Sequence, residues 1–219
     1  SRTITRADLR TLARRYADVE NSTHVTDAEL NDWVNISAAR LHSIIADKDE
    51  DYLAAVVSIS ASAGAAVVDV VTGKPVYKIL NVAMSTPDGG VVTLNRFALA
   101  ERAALDSLAP RGDVGPQYYR MRAAGQMDLA PPLAFNCTIS VVFIASFVNM
   151  TNDADTYEGF DGWEDWVAWD VAIKIMIKEE TDTRAASGER DRAMQLILSG
   201  LTHADRANPP RVLDVSGRN

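Results

Sequence analysis

The sequence predicts an α+β fold: a helical bundle formed by N- and C-terminal helix pairs, with a central β-rich insertion and an extended C-terminal arm. Helix-start signals and apolar residues at helical spacing occur near both ends of the 219-residue chain. Residues 52–150 are instead rich in Val, Ile, Ala, Gly and Thr, in short alternating runs. The predicted parts are residues 1–50 and 158–203 for the bundle, 51–157 for the insertion and 204–219 for the arm.

Two helices are predicted before residue 50. The stretch Thr5–Asp8 (TRAD) resembles a capping box, in which a hydroxyl begins the helix and a carboxylate follows three residues later. Thr26–Glu29 (TDAE) is a stronger capping box and begins a longer helix, which should end at the charged run Asp47–Asp51. The apolar residues of this second helix recur at 3–4 spacing: Leu30, Trp33, Val34, Leu41, Ile44 and Ile45.

Short strands and one helix are predicted in the insertion. The turn signal Pro87–Gly90 (PDGG) indicates a hairpin into Val91–Leu94. A short helix capped by Asn95 should follow, and Tyr118–Arg122 should pair with Gln126–Leu129. Clean alternation from Phe135 to Phe147 predicts a strand with its odd-numbered residues toward the core. Three earlier strands are predicted at Ala54–Ser60, Ala65–Val71 and Val76–Met84.

Two more helices are predicted at the C-terminal end. The first should begin at a capping box that runs from Asp161 to Glu164 (DGWE) and should continue to about Glu180. The second should extend from about Ala185 to Thr202. The tail that follows has two prolines and no helical period, so it is either an extended arm that binds a partner or a disordered terminus.

The helix after Asp161 is apolar around most of its circumference. Its polar stripe of Asp170, Lys174 and Lys178 is expected to be a solvated face with one ion pair at i, i+4 spacing. A helix this apolar must be buried on several sides, which requires either the β-rich insertion or a neighbouring subunit. Core, subunit interface and, less favoured, an aromatic ligand cage remain open for the residues that stand out: Trp163, Trp166, Trp169 and Ile173.

The composition of the chain limits the classes of function that it can have. The net charge of −8 argues against a protein that grips nucleic acid through clustered Lys and Arg. The single cysteine, Cys137, is expected to be a small buried hydrophobe, and the three histidines lack ligand spacing. We therefore predict no metal and no cofactor. No apolar run reaches the ~20 residues of a membrane span, so no membrane partner is predicted and a host cytoplasm is the expected place of assembly.

Catalytic motifs are missing from the sequence: there is no GxSxG, HExxH, Walker or GxGxxG signature. An enzyme is therefore unsupported.

A more specific pattern lies in the last third of the sequence. There a Gly-Trp-Glu start at Gly162 is followed by Ala-Ile-Lys, by Lys-Glu-Glu-Thr-Asp at Lys178–Asp182 and by Glu-Arg-Asp at Glu189–Asp191. Upstream, Leu94–Arg102 reads L-x-R-F-x-x-x-E-R.

These motifs resemble those of phage head-to-tail adaptor (connector) proteins. The resemblance implies a structural protein, not an enzyme, that forms rings, usually twelve-fold, beneath the portal at the neck of the virion. Such a ring extends the DNA channel and is the platform for the tail or nozzle protein, while genomic DNA passes without sequence-specific binding. The resemblance also implies that the arm contacts the portal, through Arg206, Pro209, Pro210, Arg211, Val212, Leu213, Asp214 and Val215.

Three arginines near the Pro/Gly-rich loop, Arg111, Arg120 and Arg122, are expected to face DNA or the next ring. Two other functions stay open at this point. One is a different neck, tail-completion or nozzle protein, and the less favoured one is a small soluble enzyme.

Overall fold

The computed structural model describes residues 3–20, 23–70, 75–107, 117–122, 125–158 and 162–204. The chain divides into two compact units, a helical unit made of residues up to Asp49 together with those from Asn149 onward, and a β-rich unit, Glu50–Val148. The α+β class is therefore confirmed. In chain order the elements are β1 (Thr3–Thr5), α1 (Arg6–Tyr16), α2 (Asp27–Lys48), β2 (Ala54–Ala61), β3 (Val67–Asp69), β4 (Val76–Ser85), β5 (Val91–Thr93), β6 (Asn95–Arg96), a 3-10 turn (Leu99–Glu101), α3 (Arg102–Asp106), β7 (Tyr118–Met121), β8 (Gln126–Ala130), β9 (Cys137–Ala145), β10 (Thr156–Glu158), α4 (Trp163–Lys178) and α5 (Arg184–Ala204).

The first two helices begin where their capping signals predict. The Thr5 hydroxyl accepts a hydrogen bond from the backbone N–H of Asp8 at 3.1 Å. At the start of α2 both halves of the capping box form, because Thr26 accepts from the N–H of Glu29 while the Glu29 carboxylate accepts from the N–H of Thr26. Each bond satisfies a backbone donor that has no partner inside the helix.

Helix α4 begins one residue later than the sequence predicts. Its N-cap is Gly162, which has a left-handed backbone with φ of 91°, and glycine adopts that conformation without steric cost. The N–H of Gly162 donates to the Glu164 carboxylate at 3.1 Å. The predicted cap Asp161 lies outside the described residues.

Three helices of its own unit, α1, α2 and α5, surround α4. Ten of its sixteen residues are buried as a result. These ten residues are thus buried in the single chain, without a second subunit. A central helix with neighbours on three sides has no wide solvated face, which is why its sequence is apolar almost all round.

Two four-stranded sheets form the β-rich unit. One has the antiparallel order β2-β9-β4-β5, and the other has the order β3-β8-β7-β6, in which β6 and β7 are parallel. The predicted hairpin is present, since Thr86 N–H donates to Gly90 O at 2.9 Å across the turn. The core uses the predicted face of β9, including Cys137, Ile139, Val141 and Phe143.

Two local predictions were wrong or incomplete. Asn95 does not cap a helix; it begins β6, and the helical turns start at Leu99, where the N–H of Ala98 donates to the Glu101 carboxylate at 2.7 Å. The short strands β1 and β10 were not predicted. Strand β1 pairs with β10, so the segment after Asn149 belongs to the helical unit.

Candidate assembly site

A buried cluster of charges joins three helices at the centre of the helical unit. Asp170 of α4 is only 3% exposed, so the prediction that it lies on a solvated face was wrong. Its carboxylate accepts hydrogen bonds from Ser37 Oγ at 2.8 Å and from Lys174 Nζ at 3.0 Å. Two guanidinium groups lie slightly farther away, Arg190 Nη1 at 3.5 Å and Arg40 Nη1 at 3.8 Å. One carboxylate therefore holds α2, α4 and α5 together.

Three cations around one acid decide the protonation state of Asp170. Burial raises the pKa of Asp170, but the hydrogen bonds and charges of Lys174, Ser37 and Arg40 outweigh it and hold the pKa below its usual range. The acid is therefore ionised at neutral pH. Sequence reasoning missed the partners in α2 and α5, although a lone Asp in an otherwise apolar helix was a signal that it had to be paired.

The β-rich unit contains a similar cluster around Asp128 of β8. Arg102 Nη1 lies 3.1 Å and Arg122 Nη2 2.7 Å from its carboxylate, which is almost fully buried. Burial raises the pKa of Asp128, and the two arginines more than reverse that effect and lower it. Arg102 is the final residue of the L-x-R-F-x-x-x-E-R motif, so this motif ties α3 to the sheet.

Replacing Arg102 with methionine is expected to lower the free energy of unfolding of the β-rich unit by about 1–3 kcal/mol. The loss stays limited because Arg122 still pairs with Asp128. Arg96→Met is the matched control, since Arg96 is exposed in the same motif. Hydrogen exchange of the β8 amides would report the change; equal protection in both variants would show that the motif arginine has no structural role.

The Lys-Glu-Glu-Thr-Asp motif forms the corner between α4 and α5. Lys178 Nζ reaches back to α2, where it donates to the Glu29 carboxylate at 2.6 Å and to His24 O at 3.1 Å. The hydrogen bond from Lys178, together with those from Thr26, lowers the pKa of Glu29 to about 2. At the other end of the motif, Asp182 accepts from the N–H of Arg184 at 3.0 Å and so begins α5.

A third ion-pair cluster fixes the segment before α4 to α1. Asp153 accepts from Arg6 at 2.7 Å and from Arg10 at 2.9 Å. The hydrogen bond from Arg6 is the largest cause of a lowered pKa of Asp153, and the hydrogen bond from Arg10 is the next largest. Asn35 adds a pair of hydrogen bonds with the backbone of Met150. The motifs and clusters thus position the helices of one chain.

The predicted interface-or-core residues lie on α4. Trp163, Trp166 and Ile173 are buried within the helical unit of the single chain. Trp169 is half-buried, and its ring stacks on Tyr16 with centroids 4.2 Å apart. The Tyr16 hydroxyl donates to Asp165 at 2.8 Å. The pKa of Tyr16 is raised, mainly by burial and also by this hydrogen bond. Trp169 is thus the most accessible of the three tryptophans.

The remaining predicted residues are only partly described. Arg120 lies in β7 and is half-buried. Arg122 follows β7, and its guanidinium forms an ion pair with Asp128. Arg111 and every residue of the predicted portal-binding arm, from Arg206 to Val215, lie outside the described residues.

Several outward faces carry apolar side chains that the described chain does not cover. Strand β2 is at one edge of its sheet and its eight residues, AAVVSISA, include no charge, proline or glycine. Edge strands usually carry such features, because an unprotected edge pairs with other chains. Large exposed aliphatics also occur on two outer helices, Ile36 on α2 and Leu196 on α5.

The described residues supply neither a metal-ion cluster nor a membrane-spanning helix. In that part of the chain, no group of three or more His, Cys, Asp and Glu side chains is placed to hold a metal ion. None of the described helices is long and apolar enough to cross a membrane.

The fold and these contacts define an α+β protein in which the motif side chains hold helices of the same chain in place. A family model described as SU10 adaptor protein matches residues 4–214. The chain therefore belongs to the SU10 adaptor protein family, a family of phage head-to-tail adaptors. The resemblance found in the motifs is confirmed by this match. A search of curated proteins gave no match.

Proposed function

We propose that this protein is a head-to-tail adaptor that forms a ring below the portal, extends the DNA channel and serves as the attachment platform for the tail. The observation that carries the proposal is the family match, which spans nearly the whole chain. A ring, usually twelve-fold in the proteins its motifs resemble, requires each copy to present two different faces to its neighbours. The exposed β2 edge and the outer faces of α2 and α5 are candidates for those faces.

The C-terminal arm is the proposed contact with the portal. The matched residues extend to position 214 and so include most of the arm. The sequence Pro209–Val215 (PPRVLDV) contains two prolines, which cannot continue a helix, and ends in three apolar residues and one aspartate. Such a segment can lie in a groove or add as a strand to a partner, where main-chain hydrogen bonds supply affinity.

The net charge of −8 suits a channel through which DNA slides. A surface that repels phosphate lowers the residence time of the duplex and gives no sequence-specific grip. In this proposal Arg120 remains a candidate to face DNA or the next ring. Arg122 contributes less net charge, because it is paired with Asp128.

Deletion of residues 206–219 is expected to abolish docking to the portal while the chain stays folded. The deletion begins after the last residue of α5, Ala204, so it removes none of the described contacts. Docking would be measured by co-sedimentation with the portal of the same phage, and folding by thermal unfolding. A variant with residues 206–219 in scrambled order is the matched control for length and composition.

Three outcomes separate the candidate functions. Loss of docking in both the deletion and the scrambled variant, with normal unfolding, supports the proposal. Undiminished docking of the deletion would remove the role given to the arm. If the wild-type chain forms rings that bind a tail or nozzle protein but not the portal, a tail-completion or nozzle function replaces the proposed one.

A further inference from the structure

We propose that copies associate through α2 of one copy and α5 of the next, with Ile36 packed against Leu196 and Asp32 paired with Arg192. This inference rests on the proposed ring and names the contact that builds it. It uses two outer faces of the helical unit, each of which combines one exposed aliphatic side chain with one exposed charge.

The two faces have the same pattern. Ile36 is 56% exposed and Leu196 is 68% exposed, although both helices bury their other faces. Single exposed aliphatics are ordinary on a protein surface. Here, however, each has an exposed charge four residues earlier: Asp32 on α2 and Arg192 on α5. Residues four apart lie on the same helix face, so each helix presents a charge and an aliphatic side chain together.

The spacing lets both contacts form at once. Four residues advance a helix by about 6 Å, and the step from charge to aliphatic is identical in the two helices. When Ile36 lies opposite Leu196 and the helices are parallel, Asp32 lies opposite Arg192. In an antiparallel arrangement Arg40, four residues after Ile36 and 62% exposed, would lie opposite Arg192, and the like charges would repel. The charges therefore select the parallel arrangement.

The topology supplies that parallel arrangement. Helix α2 is antiparallel to α4, because Glu29 contacts Lys178 while Arg40 contacts Asp170. Helix α5 is also antiparallel to α4, since it follows after a short corner and its Arg190 returns to Asp170. Helices α2 and α5 therefore run in the same direction. Neighbours in a ring of many copies differ by a small rotation, so α2 and the next copy's α5 remain nearly parallel.

The charged groups are available for such a contact. Arg192 is 70% exposed and pairs with Glu189 of its own helix at 2.8 Å. An exposed pair of this kind is weak, so it does not prevent Arg192 from meeting a second carboxylate. Asp32 makes no ion pair with the described residues. A pair between the chains also gains from the desolvation that the adjacent Ile36–Leu196 contact causes.

A charge exchange tests the contact. Asp32→Arg and Arg192→Asp are each expected to raise the midpoint concentration of ring assembly at least roughly tenfold, or about 1.4 kcal/mol. The double variant should recover most of that loss, because the pair is restored with its charges exchanged. Ring assembly would be followed by native mass spectrometry and light scattering, and Ile177→Ala, exposed on α4, is the control that should assemble normally.

A cross-link gives an independent measurement. Oxidised Ile36→Cys/Leu196→Cys protein should form a ladder of covalent oligomers up to the ring size, and neither single variant should do so. Cys137 is buried, and replacing it with serine removes any background. Covalent dimers from Ile36→Cys alone would instead show a symmetric α2–α2 contact, which overturns the proposal.

The possible failures are distinct. Wild-type rings that neither charge variant weakens, or a double variant as weak as the singles, would overturn this contact and leave the adaptor function standing. Charge variants that form normal rings but no longer bind the portal would assign these faces to the portal, which also overturns it. A wild-type chain that remains monomeric with its portal present contradicts the ring, and the proposed function fails with it.

Discussion

Replacing Asp170 with alanine is expected to lower the free energy of unfolding of the helical unit by about 3–5 kcal/mol. The variant leaves Lys174, Arg190 and Arg40 close together without the carboxylate that they share, and it leaves the buried Ser37 hydroxyl without its acceptor. Urea unfolding followed by tryptophan fluorescence would measure the loss selectively. All four tryptophans, Trp33, Trp163, Trp166 and Trp169, belong to the helical unit.

Asp191→Ala is the matched control for Asp170→Ala. Asp191 pairs with the same Arg190, but its side chain is mostly exposed, so its removal should change the free energy of unfolding by less than about 1 kcal/mol. Equal losses in the two variants would show that burial of the Asp170 cluster contributes nothing, and would refute the assignment of Asp170 as the joint between the helices.

The pH dependence of the same variant has a definite sign. The pKa of Asp170 is lowered in the folded chain, because its hydrogen bonds and cations outweigh burial. A lowered pKa stabilises the fold above the unfolded pKa of about 3.9, and this contribution is lost as the pH falls through the folded value. The advantage of the wild type over Asp170→Asn should therefore be full at neutral pH and should shrink below about pH 4.

Local signals in the sequence predicted much of the secondary structure. The capping box at Thr26, the turn before Val91 and the alternation through β9 each depend on residues within one element, and each is confirmed. The strands β1, β6 and β10 were missed for the opposite reason. They have two or three residues each, too few to show a period, and they exist through pairing with distant segments.

The environment of Asp170 shows why a helical wheel was insufficient. The wheel placed Asp170 and Lys174 on one stripe and correctly gave their i, i+4 ion pair. It treated the stripe as solvated, because a wheel contains no information about neighbouring helices. Arg40 precedes Asp170 by 130 residues in the chain, and only the packing of α2 on α4 brings them together.

The motifs were better guides to family than to mechanism. Gly162 and Lys178 were recognised as parts of an adaptor pattern, but their roles became visible only in three dimensions. Gly162 begins α4 with a left-handed backbone, and Lys178 fastens the other end of α4 to the cap of α2. Both ends of the central helix are therefore fixed by motif residues.

The central position of α4 leads to the second large expected effect: Trp166→Ala should lower the free energy of unfolding by about 3–5 kcal/mol. Trp166 is 3% exposed within a single chain, so its removal leaves a cavity that α1, α2 and α5 cannot fill without moving. The midpoint of urea unfolding of the dissociated monomer would measure the change. Ile177→Ala is the control on the same helix, and because Ile177 is 63% exposed it should shift stability by no more than about 0.5 kcal/mol.

The same experiment separates the two positions that the sequence left open for this tryptophan. A side chain that packs in the core destabilises the monomer when it is truncated, and assembly fails only because less folded chain is available. A side chain that packs between subunits leaves the monomer unfolding at the wild-type urea concentration while the rings are lost. The burial of Trp166 leads us to expect the first result, and a monomer of wild-type stability would transfer Trp166 to the interface between copies.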